Sequence, residues 1–221
     1  MIHAIAAITM LAQQCAPEIA TEAVVPLVVT ESGGDDLAIN INKGPRVRAA
    51  SIAGGAALVR RYMAAGYTVD VGLAQVNSAN LARLGVTVEQ AFDPCTNLRL
   101  ASSVLRAGYG LAIQHYTGLD AISATYSLYN TGTLTRGFHN GYVGRVWSAA
   151  SGMGTIQTPP PIPGSASASA SASASASASA SASASASASA PTATPASAKQ
   201  GIAEASWVVG QIDSSAVQVF K

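Results

Sequence analysis

A glutamate stands where an apolar segment gives out. Val24-Val25-Pro26-Leu27-Val28-Val29 leads through Thr30 into Glu31-Ser32-Gly33. A carboxyl set against a hydrophobic face keeps its proton toward neutral pH, because burial penalises the ionised form. A general acid needs that property. The plain alternative is a solvated glutamate at a helix C-terminus, but the negative end of the helix dipole disfavours a carboxylate there. A second group follows at Gly72-Leu73-Ala74-Gln75-Val76-Asn77, where two amides flank an apolar residue just before a helix. Uncharged amides donate and accept together, which suits the hydroxyl and N-acetyl groups of sugars. Taken alone, Asn77 reads equally as a helix cap and Gln75 as a satisfied core amide. The third group is Tyr126-Ser127-Leu128-Tyr129-Asn130-Thr131-Gly132, with Tyr142-Val143 after it. A tyrosine at a helix end can hydrogen-bond a buried carboxyl, and Asn130 before a glycine turn can point an amide into a groove. Both are also ordinary helix terminators.

The elements that must position these groups are mostly helical. Residues 2 to 14 form one apolar segment, and Pro17, placed where a first helical turn tolerates a missing N–H, opens a second that runs to about Ser32. The stretch from Gly33 to Ala50 mixes Gly, Asp, Asn and Pro without a period and reads as a long surface loop. Ser51 caps a helix to Ala65 closed by Gly66, and Asn77 or Ser78 caps a short helix ending at Gly85. Thr87 and Gln90 have the spacing of a capping box. Apolar positions from Pro94 recur at helical spacing to about Tyr116. Asp120 can cap a helix from Ala121 to about Tyr129, and a last helix near Asn140 holds Val143, Val146 and Trp147 on one face. Only Tyr67 to Val71 carries strand patterning, so the fold class is mainly α.

Composition narrows the partners. The chain has 221 residues and a formal net charge of +1, with no run of Lys or Arg. Clustered positive charge is what phosphate backbones require, so nucleic acid is an unexpected partner. No apolar run reaches the ~18 residues of a membrane span. The two cysteines, Cys15 and Cys95, lack both CxxC spacing and neighbouring histidines, so neither a metal site nor a metal cofactor is expected. Two readings stay open for them: separate buried small residues, or a disulfide, which would imply an oxidising compartment. The apolar start carries no Lys or Arg and reads as a core helix, with a degenerate leader as the alternative.

The chain divides into a domain over 1–150, a Pro-rich and Ser-Ala linker over 151–200, and a short segment over 201–221. From Ser165 to Ala190 the sequence is an unbroken Ser-Ala alternation. Such a tract has almost nothing to bury and is expected to be a disordered tether with a span of roughly 35 to 40 Å. The end segment, with Trp207-Val208-Val209 and Val217-Gln218-Val219-Phe220, is too short to fold alone. It suits docking on a partner as an added strand or anchored peptide.

Taken in order, Glu31-Ser32, Gly72-Leu73-Ala74-Gln75-Val76, Tyr129-Asn130-Thr131-Gly132 and Tyr142-Val143 resemble the pattern of the soluble lytic transglycosylases. Cys15-Ala16-Pro17, Asp70-Val71-Gly72-Leu73, Asn77-Ser78-Ala79-Asn80-Leu81 and Phe92-Asp93-Pro94-Cys95 resemble the branch that accompanies type IV secretion and conjugation systems. The resemblance covers about residues 4 to 150. It implies a lysozyme-like fold of the goose type and a periplasmic setting, with no cofactor. That setting, and a thiol beside each of two helix starts, implies a Cys15–Cys95 disulfide.

By the same resemblance Glu31 is the catalytic acid and base and Tyr129 the phenol that bonds it. Ser32, Gln75, Asn77, Asn130 and Tyr142 are the substrate-binding side chains. Three residues depart from the family's pattern: Ala74 replaces Met, Thr131 replaces Ala, and Gly34 stands where a large side chain is usual, which would open the cleft. The implied reaction cleaves the bond between N-acetylmuramic acid and N-acetylglucosamine in peptidoglycan. Glu31 protonates the glycosidic oxygen, the substrate's acetamido group assists, and Glu31 then takes the C6 hydroxyl proton as a 1,6-anhydro ring closes. The implied partners are peptidoglycan strands and, through the tail, envelope subunits of a type IV secretion system. Two rivals remain. One is a goose-type hydrolase with an added carboxylate, for which Asp35 or Asp36 could serve. The other is a non-catalytic glycan-binding assembly factor.

Overall fold

The structure is a computed structural model that describes residues 1–161; the Ser-Ala tract and the end segment lie outside the described residues. Among the described residues, eight helices and a small sheet follow one another. They are α1 (Ile5–Cys15), α2 (Thr21–Ser32), β1 (Ile39–Ile41), α3 (Ile52–Ala64), β2 (Val69–Val71), β3 (Val76–Asn77), α4 (Val88–Ala91), α5 (Pro94–Ala112), α6 (Gly118–Thr131), α7 (Arg136–His139) and α8 (Tyr142–Gly152). One 3₁₀ turn, Ser78–Asn80, follows β3. The mainly α class stands. No helix of the described residues is long and apolar enough to cross a membrane.

Local chemistry accounts for most boundaries. Ser51 accepts from the Gly54 N–H at the start of α3, and Thr87 and Gln90 form the reciprocal capping box of α4. The apolar start is a helix whose Ile8, Ala12 and Cys15 enter the core. Pro17 does not open α2, which begins at Thr21. Asp120 is not the cap of α6: Thr117 precedes it, and Asp120 falls in the first turn.

The loop expected from Gly33 to Ala50 contains a strand. Ile39-Asn40-Ile41 alternates apolar and polar over three residues, too short a run to stand out in sequence, and it becomes a strand only by pairing. The sheet order is β1-β2-β3, antiparallel, with Asn40 opposite Asp70 and Asp70 opposite Asn77.

The core sits where α2 packs against α1 and α8, with α5 and α6 alongside. Buried polar groups pin this bundle. The Tyr126 hydroxyl of α6 donates to the Ala23 carbonyl of α2 at 3.0 Å, and the Trp147 indole N–H of α8 donates to Ser123 at 2.9 Å. The two rings meet edge to face at 5.6 Å. These bonds tie the N-terminal part of α2 to α6, and α6 to α8. On the other side Cys15, the last residue of α1, is joined to Cys95 in the first turn of α5. The bridge spans 80 residues of sequence.

Candidate active site

Glu31 is the penultimate residue of α2, which Gly33 ends in the left-handed conformation that suits glycine. Its half-buried carboxyl opens onto a cleft of about 650 Å³. One wall comes from the sheet and its turns, with Asn42, Lys43, Asp70, Gln75 and Asn77; the other comes from α6 and α7, with Tyr129, Asn130, Thr131, Arg136 and Asn140.

Burial pushes the Glu31 carboxyl up to about 8; the hydrogen bond from Tyr142 opposes the rise, the Asp70 charge adds to it and Arg145 opposes it. The carboxyl therefore carries its proton at neutral pH, as a general acid requires.

The phenol that donates to Glu31 is Tyr142, not the expected Tyr129. A hydroxyl has one proton to give, and that of Tyr129 goes to the Ala74 carbonyl at 2.7 Å. Tyr142 is the first residue of α8, and its ring lies under the Arg145 guanidinium, 5.7 Å from ring centroid to guanidinium carbon. It is 2% exposed and is not among the residues that line the cleft.

Two further residues read as substrate-binding make hydrogen bonds within the protein, and of these Asn77 also lines the cleft. The Ser32 hydroxyl donates to the Leu73 carbonyl at 2.6 Å and accepts from the Gly34 N–H at 3.0 Å. It ties the end of α2 to the Gly72–Gln75 turn. Asn77 donates to Asp70 at 2.6 Å and accepts from the Ala79 N–H at 3.0 Å. Gln75 and Asn130 line the cleft as well. Gln75 spends both amide protons on the Ala38 and Gly72 carbonyls, so its oxygen is what it can offer a ligand. Asn130 accepts from Asn140 at 2.9 Å and keeps its amide N–H groups for the groove.

The turn that carries Gln75 is tightly specified. Gly72 has φ +77°, and a Cβ there would meet the Asn97 amide at 2.6 Å and the Ala91 carbonyl at 2.8 Å. Gln75 itself adopts φ +51°, uncommon outside glycine. Asn97, fully buried on α5, holds this turn by donating to Val71 and Ala91 and accepting from the Ala74 N–H at 2.7 Å. Sequence reasoning missed Asn97; the signal was an amide among the apolar positions of α5. Ala74 is buried between these bonds, away from the groove.

Gly34 does not open the cleft. It is buried against the N-terminal segment, where a Cβ would sit 2.7 Å from the His3 carbonyl at φ +88°, and its own carbonyl accepts from the His3 N–H. Asp35 and Asp36 face the same segment. Both lie against the terminal amine, and Asp36 also meets the His3 ring at 3.2 Å. The second acid of the cleft is Asp70, which sequence reasoning also missed. Period-two alternation was the available signal, since Val69 and Val71 are buried and Asp70 must point the other way.

The family model described as Transglycosylase SLT domain matches residues 9–146. The chain belongs to this family. In this SLT domain the match begins within α1 and ends within α8, so it takes in both walls of the cleft. Among curated relatives, "Type IV secretion system protein virB1" of Brucella suis biovar 1 (strain 1330) is 39% identical over 132 residues, 58% of this chain and 56% of that protein. "Protein virB1" of Rhizobium radiobacter is 34% identical over 151 residues, 68% of this chain and 63% of that protein. "Protein virB1" of Agrobacterium fabrum (strain C58 / ATCC 33970) is 35% identical over 140 residues, 63% and 57% respectively. The chain thus spans a little over half the length of the curated relatives it matches. No solved structure matches it significantly.

Proposed function

We propose that this chain is a peptidoglycan lytic transglycosylase that opens the cell wall for a type IV secretion assembly. The observation that carries the reading is one half-buried, proton-holding carboxyl, Glu31, facing a groove lined by amides and phenols. Glu31 protonates the glycosidic oxygen of a muramyl residue, and the C1–O bond breaks. The resulting carboxylate takes the proton of the C6 hydroxyl as O6 bonds to C1, so no water is consumed. Tyr142 steadies Glu31 through both steps. Gln75 and Asn130 bind sugar substituents. Lys43 and Arg136 place one cation on each wall, which suits the carboxylates of muramyl glycans.

The names of the virB1 relatives supply the secretion setting, and the periplasm is the compartment such a role requires. The segment after residue 161 is the proposed recruitment element for envelope subunits. Mass spectrometry of muropeptides from digested sacculi tests the reaction: anhydro ends support it, whereas reducing ends, heavier by one water, would make the enzyme a hydrolase. No cleavage at all would leave a glycan-binding factor.

A further inference from the structure

The SLT reading leaves one cleft carboxyl unused. Asp70 is the middle residue of a three-strand row. Asn40 on β1 and Asn77 on β3 are its direct cross-strand partners, and each turns its amide toward it. Asn77 donates to Oδ1 at 2.6 Å and Asn40 to Oδ2 at 2.9 Å. Asn77 is itself fixed by the Ala79 N–H. Both oxygens are therefore held by donors, the arrangement that orients an ionised carboxyl. Asp70 and Asn77 of this row line the groove that Glu31 also lines.

Two carboxyls in one glycan groove, one against phenols and an apolar helix, the other among amides, are placed for different duties. We propose that Asp70 is a second catalytic carboxyl, which stays ionised and unreacted while it stabilises the positive charge developing on the muramyl ring as the glycosidic bond breaks. This rests on the glycan reading of the cleft. Asp70 forms no bond to carbon and takes no proton; Glu31 performs both transfers, so the atom balance of the anhydro reaction is unchanged. A fixed negative charge opposite a developing cation stabilises the transition state more than the neutral ground state.

The charge also bears on Glu31. The titratable and charged groups acting on Glu31 are Tyr142 and Arg145 from α8, Tyr129 from α6 and Asp70 from β2, and Lys43, Tyr67 and Arg136 also line the groove. Asp70 is the one that favours the protonated form of Glu31 by repulsion.

The test compares wild type, Asp70→Asn and Asn40→Ala, each shown to be folded by thermal melting. kcat and KM on purified sacculi are followed across pH, with products identified by mass. Asp70→Asn should lose on the order of 100-fold in kcat with KM little changed. Its acid limb, set by Asp70 protonation, should vanish, and its alkaline limb should move to lower pH. Its residual product should remain anhydro. Asn40→Ala, which breaks the row but keeps the charge, should lose far less. The proposal is overturned if Asp70→Asn stays within about twofold of wild type, if both limbs stay in place, or if Asn40→Ala matches its loss. Reducing ends from wild type would instead overturn the transglycosylase reading, whatever Asp70 does to the rate.

Discussion

Glu31 and Asp70 carry the same functional group into one groove from different elements, α2 and β2. Glu31 comes off the end of a buried helix, between an apolar face and a phenol, and burial raises it to about 8. Asp70 comes off the middle of a sheet. Burial raises it as well, but amides from Asn40, Asn77 and Asn42 oppose that rise. The difference lies in the hydrogen-bond supply of the two elements, because each donor offsets part of the cost of burying a charged carboxyl.

The largest effect expected from breaking this contrast is at Glu31. Glu31→Gln should remove essentially all glycan cleavage, since the amide has no proton to give the leaving oxygen; positioned acid and base assistance each supply roughly 100- to 10,000-fold. Turbidity of a sacculus suspension measures this, and activity above a few per cent would move the acid elsewhere.

The same substitution should alter stability in a pH-dependent way. A carboxyl whose folded pKa is raised costs stability once the unfolded chain ionises and the native state cannot follow. The cost is absent below the ordinary carboxyl value of 4.5, grows as pH rises, and is complete above about 8. Glu31→Gln should therefore melt above wild type at alkaline pH, with the gap closing as pH falls below 4.5. A constant gap would show that Glu31 does not change its proton affinity on folding.

A smaller effect on rate is expected at Tyr142. Tyr142→Phe removes the hydrogen bond that lowers the Glu31 pKa, so the alkaline limb of the rate should move up while kcat falls roughly tenfold, within the range of a charge-assisted bond. Tyr129→Phe leaves that bond in place and should show a smaller loss with the limb unmoved. If the two variants exchange behaviours, the observed pairing is wrong.

Reduction of the Cys15–Cys95 bridge should act on stability and hardly on rate, because neither residue lines the groove. Loop-entropy arguments give on the order of 4 kcal/mol, or roughly 10 °C in melting temperature for a domain this size. Alkylation of the denatured, unreduced protein should label no thiol.

Removal of the chain after residue 161 should have the least effect on cleavage. The turbidity rate should be kept while co-purification with envelope partners weakens, and loss of cleavage would place the tail in the working enzyme.

Much of this was legible in the sequence because it is local. The end of an apolar helix at Glu31-Ser32-Gly33 and the caps at Ser51 and Thr87 depend on neighbours three or four residues away. So does the one-faced pattern of Val143, Val146 and Trp147, and all of these formed as read. What tertiary structure alone decided are pairings between distant residues. Tyr142 lies 111 residues from Glu31, and nothing in its own segment distinguishes it from Tyr129 until α8 and α6 are packed and the single proton of Tyr129 is claimed by Ala74. Asp70 gained its place when β1, too short to read as a strand, paired beside it and brought Asn40 opposite. Gly34 kept a small residue because the N-terminal segment folded back over it. A residue's identity fixes which bonds it can make, whereas packing fixes which partner is within reach.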